Sequence, residues 1–170
     1  DLASMATALG STMRYTISGN EPLVSLREEL SYVENYLTIQ KLRFGERLHA
    51  EIDVPEYVMG CAVPRVSIQP LVENAILHGL EQREKPGTIR IGAWTAGDRL
   101  TIEVTDDGQG MTEEELAQLR SALYAPSPAE ERRGIGLRNL YMRLRLLYDE
   151  TAQLTLDSEE GIGTVVQIVI

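Results

Sequence analysis

Three short segments restrict this chain more than anything else in it: LVENAILHGL at 71–80, DDGQGM at 106–111 and RGIGL at 133–137. Each alone is a weak signal. Their order carries the information, because a helical pattern surrounds the first and a strand pattern precedes the second. The fold has to bring a polar pair on a helix, an acid-and-glycine turn after a strand, and a glycine turn before a later helix around one space.

At 170 residues the chain holds one well-formed domain with a helical appendage. Its formal charge of −10 excludes non-specific nucleic-acid binding, which needs a basic surface to displace counterions. The lone Cys61 cannot close an internal disulfide and fits a reducing cytoplasm. No apolar run approaches the roughly 20 residues of a membrane helix, and there is no signal peptide. The chain begins at Asp1 and ends in an apolar strand pattern. It reads as a piece of a longer protein whose membrane segment or sensor lies elsewhere.

Along residues 1–17, Leu2, Met5, Leu9, Met13 and Ile17 fall at helical spacing, a stripe that packs on another helix or a second copy of the chain. Gly19-Asn20-Glu21-Pro22 ends it. Ser25 with Glu28 forms a capping-box pattern opening a helix to about Phe44, with Leu26, Leu30, Val33, Tyr36, Leu37 and Gln40 along it. Residues 47–58 predict a short strand and a turn. Pro64 is expected to start a third helix, with Pro70 in its first turn and Gly79 as its C′ residue. Thr88–Thr95 and Leu100–Thr105 predict a hairpin, Thr112 with Glu115 caps a helix to about Leu123, and residues 124–133 predict a loop. A helix from about Gly136 to Tyr148, with Leu137, Leu140, Tyr141, Leu144 and Leu147 inward, precedes a second hairpin, Ala152–Asp157 and Thr164–Ile170. The order implies an α+β fold: a two-layer sandwich with helices on one face of a mixed, mostly antiparallel sheet.

Glu73 and Asn74 lie mid-helix among apolar residues, where buried polar groups are costly without partners. They either bond to a neighbouring strand or face solvent, or the Asn74 side-chain oxygen ligates Mg²⁺, a hard cation that takes oxygen ligands and keeps several waters. His78 shares the Asn74 face, where it either complements the helix dipole or joins the site. Asp106-Asp107-Gly108-Gln109-Gly110 is either a plain strand-to-helix turn or a base-reading element. In the second case Asp106 accepts from an adenine amino group, Gly108 and Gly110 let backbone pass close to the base, and Met111 lines its apolar face. Gly134-Ile135-Gly136 precedes a helix start, where backbone N–H groups bind anions, and Arg132, Arg133 and Arg138 add positive charge. Together these segments describe a pocket for ATP.

As a set they resemble the ATP-binding domain of sensor histidine kinases, in the superfamily that also holds DNA gyrase B, MutL and Hsp90, with its Bergerat-type fold. LVENAILHG is similar to the N box, DDGQGM to the G1 box, RRGIGLRN to the G2 box and GIGTVVQIVI at 161–170 to the closing strand. SLREELSYVENYLTIQKLRF at 25–44 resembles the linker helix of LytS/YesM-type kinases. The resemblance implies that residues 1–45 are the end of a dimerisation helix plus the linker helix, and 46–170 the catalytic domain. It implies that Asn74 binds Mg²⁺ and Glu73 supports the metal through water. Asp106 reads adenine, with Thr164 beneath the base. Gly108, Gly110, Gly134 and Gly136 frame the nucleotide, His78, Gly79, Met111, Arg133, Ile135, Leu137 and Arg138 complete its site, and 123–133 is the lid. It further implies a cytoplasmic domain of a membrane-anchored homodimer, with a response regulator as partner and the phospho-accepting histidine upstream of Asp1.

Two positions depart from the pattern. Leu77 stands where many members carry a phosphate-binding lysine. Pro70 stands where the superfamily's ATPases carry a glutamate as general base for water; proline has no titratable group to offer. The resulting reading is phosphoryl transfer to a histidine rather than fast hydrolysis. The alternatives are a non-catalytic ATP/ADP-binding regulatory module, which Leu77 favours, a serine-kinase anti-sigma factor, which the Tyr32–Gln40 stretch disfavours, and a purely structural helical dimer, which leaves the glycine motifs unexplained.

Overall fold

The computed structural model describes residues 21–81, 84–125 and 135–170. The expected helix over 1–17, and Arg132, Arg133 and Gly134, lie outside the described residues.

A short ribbon comes first: β1 (Leu23–Ser25) pairs antiparallel with β3 (Ala62–Pro64). Helix α1 (Leu26–Phe44) leaves β1 through the expected capping box, Ser25 and Glu28 each bonding the other's backbone N–H. Strand β2 (Leu48–Asp53) follows, then β3 and helix α2 (Gln69–Ala75), which runs on as a π-helical turn (Ile76–Leu80). Strands β4 (Gly87–Ala96) and β5 (Arg99–Asp106) form the first expected hairpin. Helices α3 (Glu113–Tyr124) and α4 (Ile135–Tyr148) precede the second, β6 (Gln153–Glu159) and β7 (Gly163–Val169).

The main sheet has the order β2-β4-β5-β7-β6, with β2 parallel to β4 and every other pair antiparallel. A parallel pair needs a crossover, and β3 with α2 supplies it. Alternation sorts the two faces. Ile89, Ile91 and Ala93 of β4, Ile102 and Val104 of β5, and Val166 and Ile168 of β7 are buried, while Arg90 and Trp94 are exposed. The buried face meets Leu71, Val72, Ala75 and Ile76 of α2, Leu119 and Leu123 of α3, and Leu137, Leu140 and Leu144 of α4. Each such side chain taken fully from water contributes about 1.5–3 kcal/mol. Leu26, Leu30, Val33, Leu37 and Phe44 of α1 belong to the same core. The architecture is the expected α+β sandwich.

Three local expectations are corrected, and one buried residue is added. Pro64 does not open a helix: it ends β3, where β1 pairs with it, and the helix begins at Gln69 with Pro70 in its first turn. Gly79 is not a left-handed C′ residue, because the chain stays helical through it to Leu80. The carboxylate of Asp106 lies against Gly79, where a Cβ would press on it at 2.8 Å. Leu147 is 37 % exposed rather than inward, because α4 turns Leu137, Leu140 and Leu144 to the sheet instead. Glu29, absent from the expected stripe of α1, is fully buried.

Candidate nucleotide-binding site

Helix α2 is short and carries no capping side chain of its own. The amides of the turn that leads into it are satisfied by Glu29 of α1. One carboxylate oxygen accepts from Val66 N–H at 2.9 Å, and the other accepts from Ser67 and Ile68 N–H at 2.6 and 3.1 Å. Val66 has φ 55°, a left-handed conformation costing a β-branched residue about 1–3 kcal/mol. Its carbonyl accepts from Arg143 of α4 at 2.7 Å. Burial lowers the pKa of Arg143, with the charge of Glu29 opposing that shift.

Leu71, Val72, Ala75 and Ile76 fix the rotation of α2 by turning to the core. Glu73 is left exposed, accepting from the Gln69 amide at 2.7 Å. Asn74 is only 7 % exposed, and its buried amide nitrogen has no partner among the described residues. An unsatisfied buried amide costs about 1–3 kcal/mol, so Asn74 is poised for something the protein does not itself provide. Tyr36 of α1 lies near enough to Glu73 to feel it: burial, then the Glu73 charge, push its hydroxyl pKa well above the usual tyrosine value.

The π-helical turn at the end of α2, a rare feature that recurs at functional sites, is closed by Glu81 N–H to Ile76 O at 3.0 Å. It presents Gly79 to the end of β5. A Cβ on Gly79 would sit 2.8 Å from Asp106 Oδ1, and one on Gly108 would sit 2.1 Å from Gly79 Cα. Gly108 N–H donates to Asp106 Oδ1 at 2.9 Å. Helix end, acid and glycine turn are thus in backbone contact. Asp107 faces the other way and accepts Thr88 N–H at 2.8 Å, closing the start of β4.

Behind Asp106, Thr164 of β7 is its cross-strand neighbour and is 2 % exposed. Its hydroxyl lies 2.9 Å from that of Ser158, which also accepts Met111 N–H and donates to Gly163 O, each at 2.9 Å. Gly163 has φ 137°, and a Cβ there would meet Asp106 O at 1.9 Å. Gly110, φ 67°, is held equally close by Glu159 O, so protein packing already demands this glycine. Met111 and Leu137 are buried in the core at 4 % and 2 % exposure. The start of α4 adjoins α2: a Cβ on Gly136 would lie 3.7 Å from Pro70 Cβ and 3.8 Å from Glu73 Oε2. Arg138 donates to Ala125 O at 3.1 Å, tying α4 to the end of α3. Ile135 and Leu77 are exposed at 52 % and 46 %, and His78 is half-buried.

The structure therefore gathers Gly79, Asp106, Gly108 and Thr164 into one knot and sets Gly136 beside Glu73. Sequence reasoning missed Glu29, Val66 and Ser158. For Glu29 a signal existed, since it falls on the Leu26–Leu30–Val33 face of α1. Nothing local marked the other two. Among the described residues no cluster of three or more His, Cys, Asp or Glu forms. A metal here would be held by Asn74 and by oxygens of its ligand and water, as a hard cation with few protein ligands is. The Asn74 side-chain oxygen would be the ligand, while the unpartnered nitrogen is a donor suited to a phosphate or water oxygen.

Comparison with known proteins agrees with this geometry. A family described as histidine kinase-, DNA gyrase B- and HSP90-like ATPase matches residues 65–170, and a histidine kinase family matches residues 1–48. The chain belongs to this ATPase family. Within it, the chain is similar to sensor histidine kinases. It is 36 % identical to the Bacillus subtilis sensor histidine kinase YesM over 99 % of this chain and 27 % of that protein. It is 34 % identical to Escherichia coli YpdA over 81 % of this chain and 23 % of that protein. The chain spans less than a third of the length of these relatives. The histidine kinase domain of the Erythrobacter litoralis EL346 blue-light activated kinase shares its fold, with TM-score 0.60 at 20 % identity, covering 99 % of this chain and 78 % of that one. The catalytic domain of the kinase ThkA also has TM-score 0.60, at 19 % identity, covering 87 % and 93 %. No helix among the described residues is long and apolar enough to cross a membrane.

Proposed function

We propose that this domain binds ATP with Mg²⁺ and passes the γ-phosphoryl group to a histidine outside residues 1–170, in a homodimeric, membrane-anchored parent. The phosphoryl group would then pass to a response-regulator aspartate, and the domain would work on the cytoplasmic side. In this reading 1–45 hold the end of the dimerisation helix and the linker helix, and 46–170 the catalytic unit. The observation that supports it best is the buried Asn74 amide nitrogen, a donor with no partner among the described residues and so open to an acceptor such as a phosphate oxygen, on the helix whose end abuts Asp106 and Gly108.

Asn74 would hold Mg²⁺, with Glu73 supporting it through water. When bound, the ion neutralises charge on the phosphates. Asp106 would accept from the adenine amino group, with Thr164 below the base. Gly79, Gly108 and Gly110 would frame the nucleotide, and Gly134, Ile135, Gly136 and the arginines 133 and 138 would face its phosphates. Pro70 occupies the first turn of α2 and presents no base for water, which supports transfer over hydrolysis. The exposed Leu77 offers no charge to a phosphate. It favours a second reading, a module that binds ATP or ADP and regulates without transferring phosphate.

Calorimetric titration with a non-hydrolysable ATP analogue tests the site. The expected result is one-to-one binding that tightens with Mg²⁺ and an Asn74→Ala variant in which that tightening is gone. Absence of binding at millimolar analogue refutes the site, and an unchanged Mg²⁺ response in the variant refutes the metal role. Phosphate transfer to histidine in the parent separates the kinase from the regulatory module.

A further inference from the structure

Helices α1 and α2 are fastened to each other at both ends. At their starts, the fully buried Glu29 takes the N–H groups of Val66, Ser67 and Ile68. At their ends, Arg43 pairs with Glu81 at 2.6 Å, and Arg47 donates to Leu80 O at 3.0 Å. Start meets start and end meets end, so the two helices run side by side in one direction. A shift of α1 along or about its axis therefore carries α2 with it.

The joint at Val66 differs from the other. Its residue sits in the left-handed region at φ 55°, where a β-branched side chain stays only if its surroundings impose it. Two charged groups do so, one from each neighbouring helix: Glu29 of α1 holds the N–H, and Arg143 of α4 holds the carbonyl. Helix α4 begins beside Glu73 at Gly136. The Val66 turn thus receives one anchor from α1 and one from α4, and it launches the helix carrying Asn74.

We propose that the Val66 turn is the mechanical joint between the linker helix and the metal–phosphate half of the nucleotide site, with Glu29 as its positioning residue. The adenine half, built on β5 and β7, is carried by the sheet and touches α2 only at its far end, where Gly79 meets Asp106 and Gly108, so it is less exposed to a shift at this joint. The inference rests on the ATP reading above and divides that site in two.

In Glu29→Gln, one amide oxygen still serves Ser67 and Ile68, but an NH₂ group faces the Val66 N–H. Expected for this variant of the chain is an affinity for the Mg²⁺-loaded ATP analogue lower by about tenfold, within the usual range of coupling between sites, while adenosine binding stays within about twofold. Hydrogen exchange should quicken over 66–75 and remain unchanged in β5 and β7. Adding Val66→Gly, which makes φ 55° unstrained, should restore the analogue affinity. Equal weakening of both ligands, or uniform acceleration of exchange, would show Glu29 to be a core residue only and overturn the joint. If Glu29→Gln does not fold, the double variant is compared with Val66→Gly alone, and its failure to fold also overturns the proposal. Failure of the unmodified chain to bind the analogue would sink the ATP reading. The joint is then decided by the exchange pattern, local acceleration supporting it and uniform acceleration refuting it.

Discussion

Adding one methyl group at Gly108 tests the knot at the centre of the site. An alanine Cβ would lie 2.1 Å from Gly79 Cα, 2.8 Å from Gly79 C and 2.6 Å from Asp106 Oδ1. Carbon atoms rest about 3.5–4.0 Å apart, so the two backbones must separate by roughly 1.5 Å. No rotamer change relieves this, because the obstacle is main chain in a helical turn. Overpacking costs about 1–3 kcal/mol where side chains can shift, and a backbone obstacle places Gly108→Ala at about 3 kcal/mol or more. For a domain of this size that lowers Tm by roughly 6–12 °C. Nucleotide affinity should fall with it, since the same displacement moves Asp106. Differential scanning fluorimetry, together with titration of the ATP analogue, reads both effects. Gly60→Ala is the control: nothing lies within 4 Å of its Cβ and its φ is not left-handed, so its Tm should hold or rise. A Gly108→Ala chain that melts within 2 °C of the unmodified one and binds normally would refute the contact between α2 and the turn after β5.

Asp106→Asn keeps an oxygen for the Gly108 N–H, so its Tm should change little, while loss of the charged acceptor lowers analogue affinity by about tenfold or more; normal binding would remove the adenine assignment. Ser25→Ala should destabilise the chain by about 0.5–2 kcal/mol, and urea unfolding followed with pH adds a sign. Hydrogen bonds from the Ser25 hydroxyl and backbone N–H hold the Glu28 carboxyl below its ordinary 4.5. That contribution is present above pH 4.5 and lost as pH falls through the lower folded value. The acid limb of stability should therefore be shallower in Ser25→Ala, and an identical limb would show that Glu28 does not draw on Ser25.

What was legible in the sequence was local. A capping box spans three residues, and both of those read from the chain formed, at Ser25–Glu28 and Thr112–Glu115. Strand alternation has period two, and both hairpins appeared, the first turning at Gly97-Asp98 and the second at Gly161. The glycine motifs were legible because close backbone approach leaves no other residue possible, as Gly108 and Gly163 show.

Tertiary structure decided what depends on distant partners. The β1–β3 ribbon has three residues per strand, too few for a period to show. Whether Gly79 would end the helix or continue it turned on Asp106 arriving beside it. The face of α1 could flag Glu29 as inward, but its role became legible only when Val66, Ser67 and Ile68, 37 to 39 residues downstream, supplied three amides to a buried carboxylate. Local chemistry sets turns, caps and periods within a few residues. The burial of a charge, or a strained valine held between two helices, is set by groups that only folding brings together.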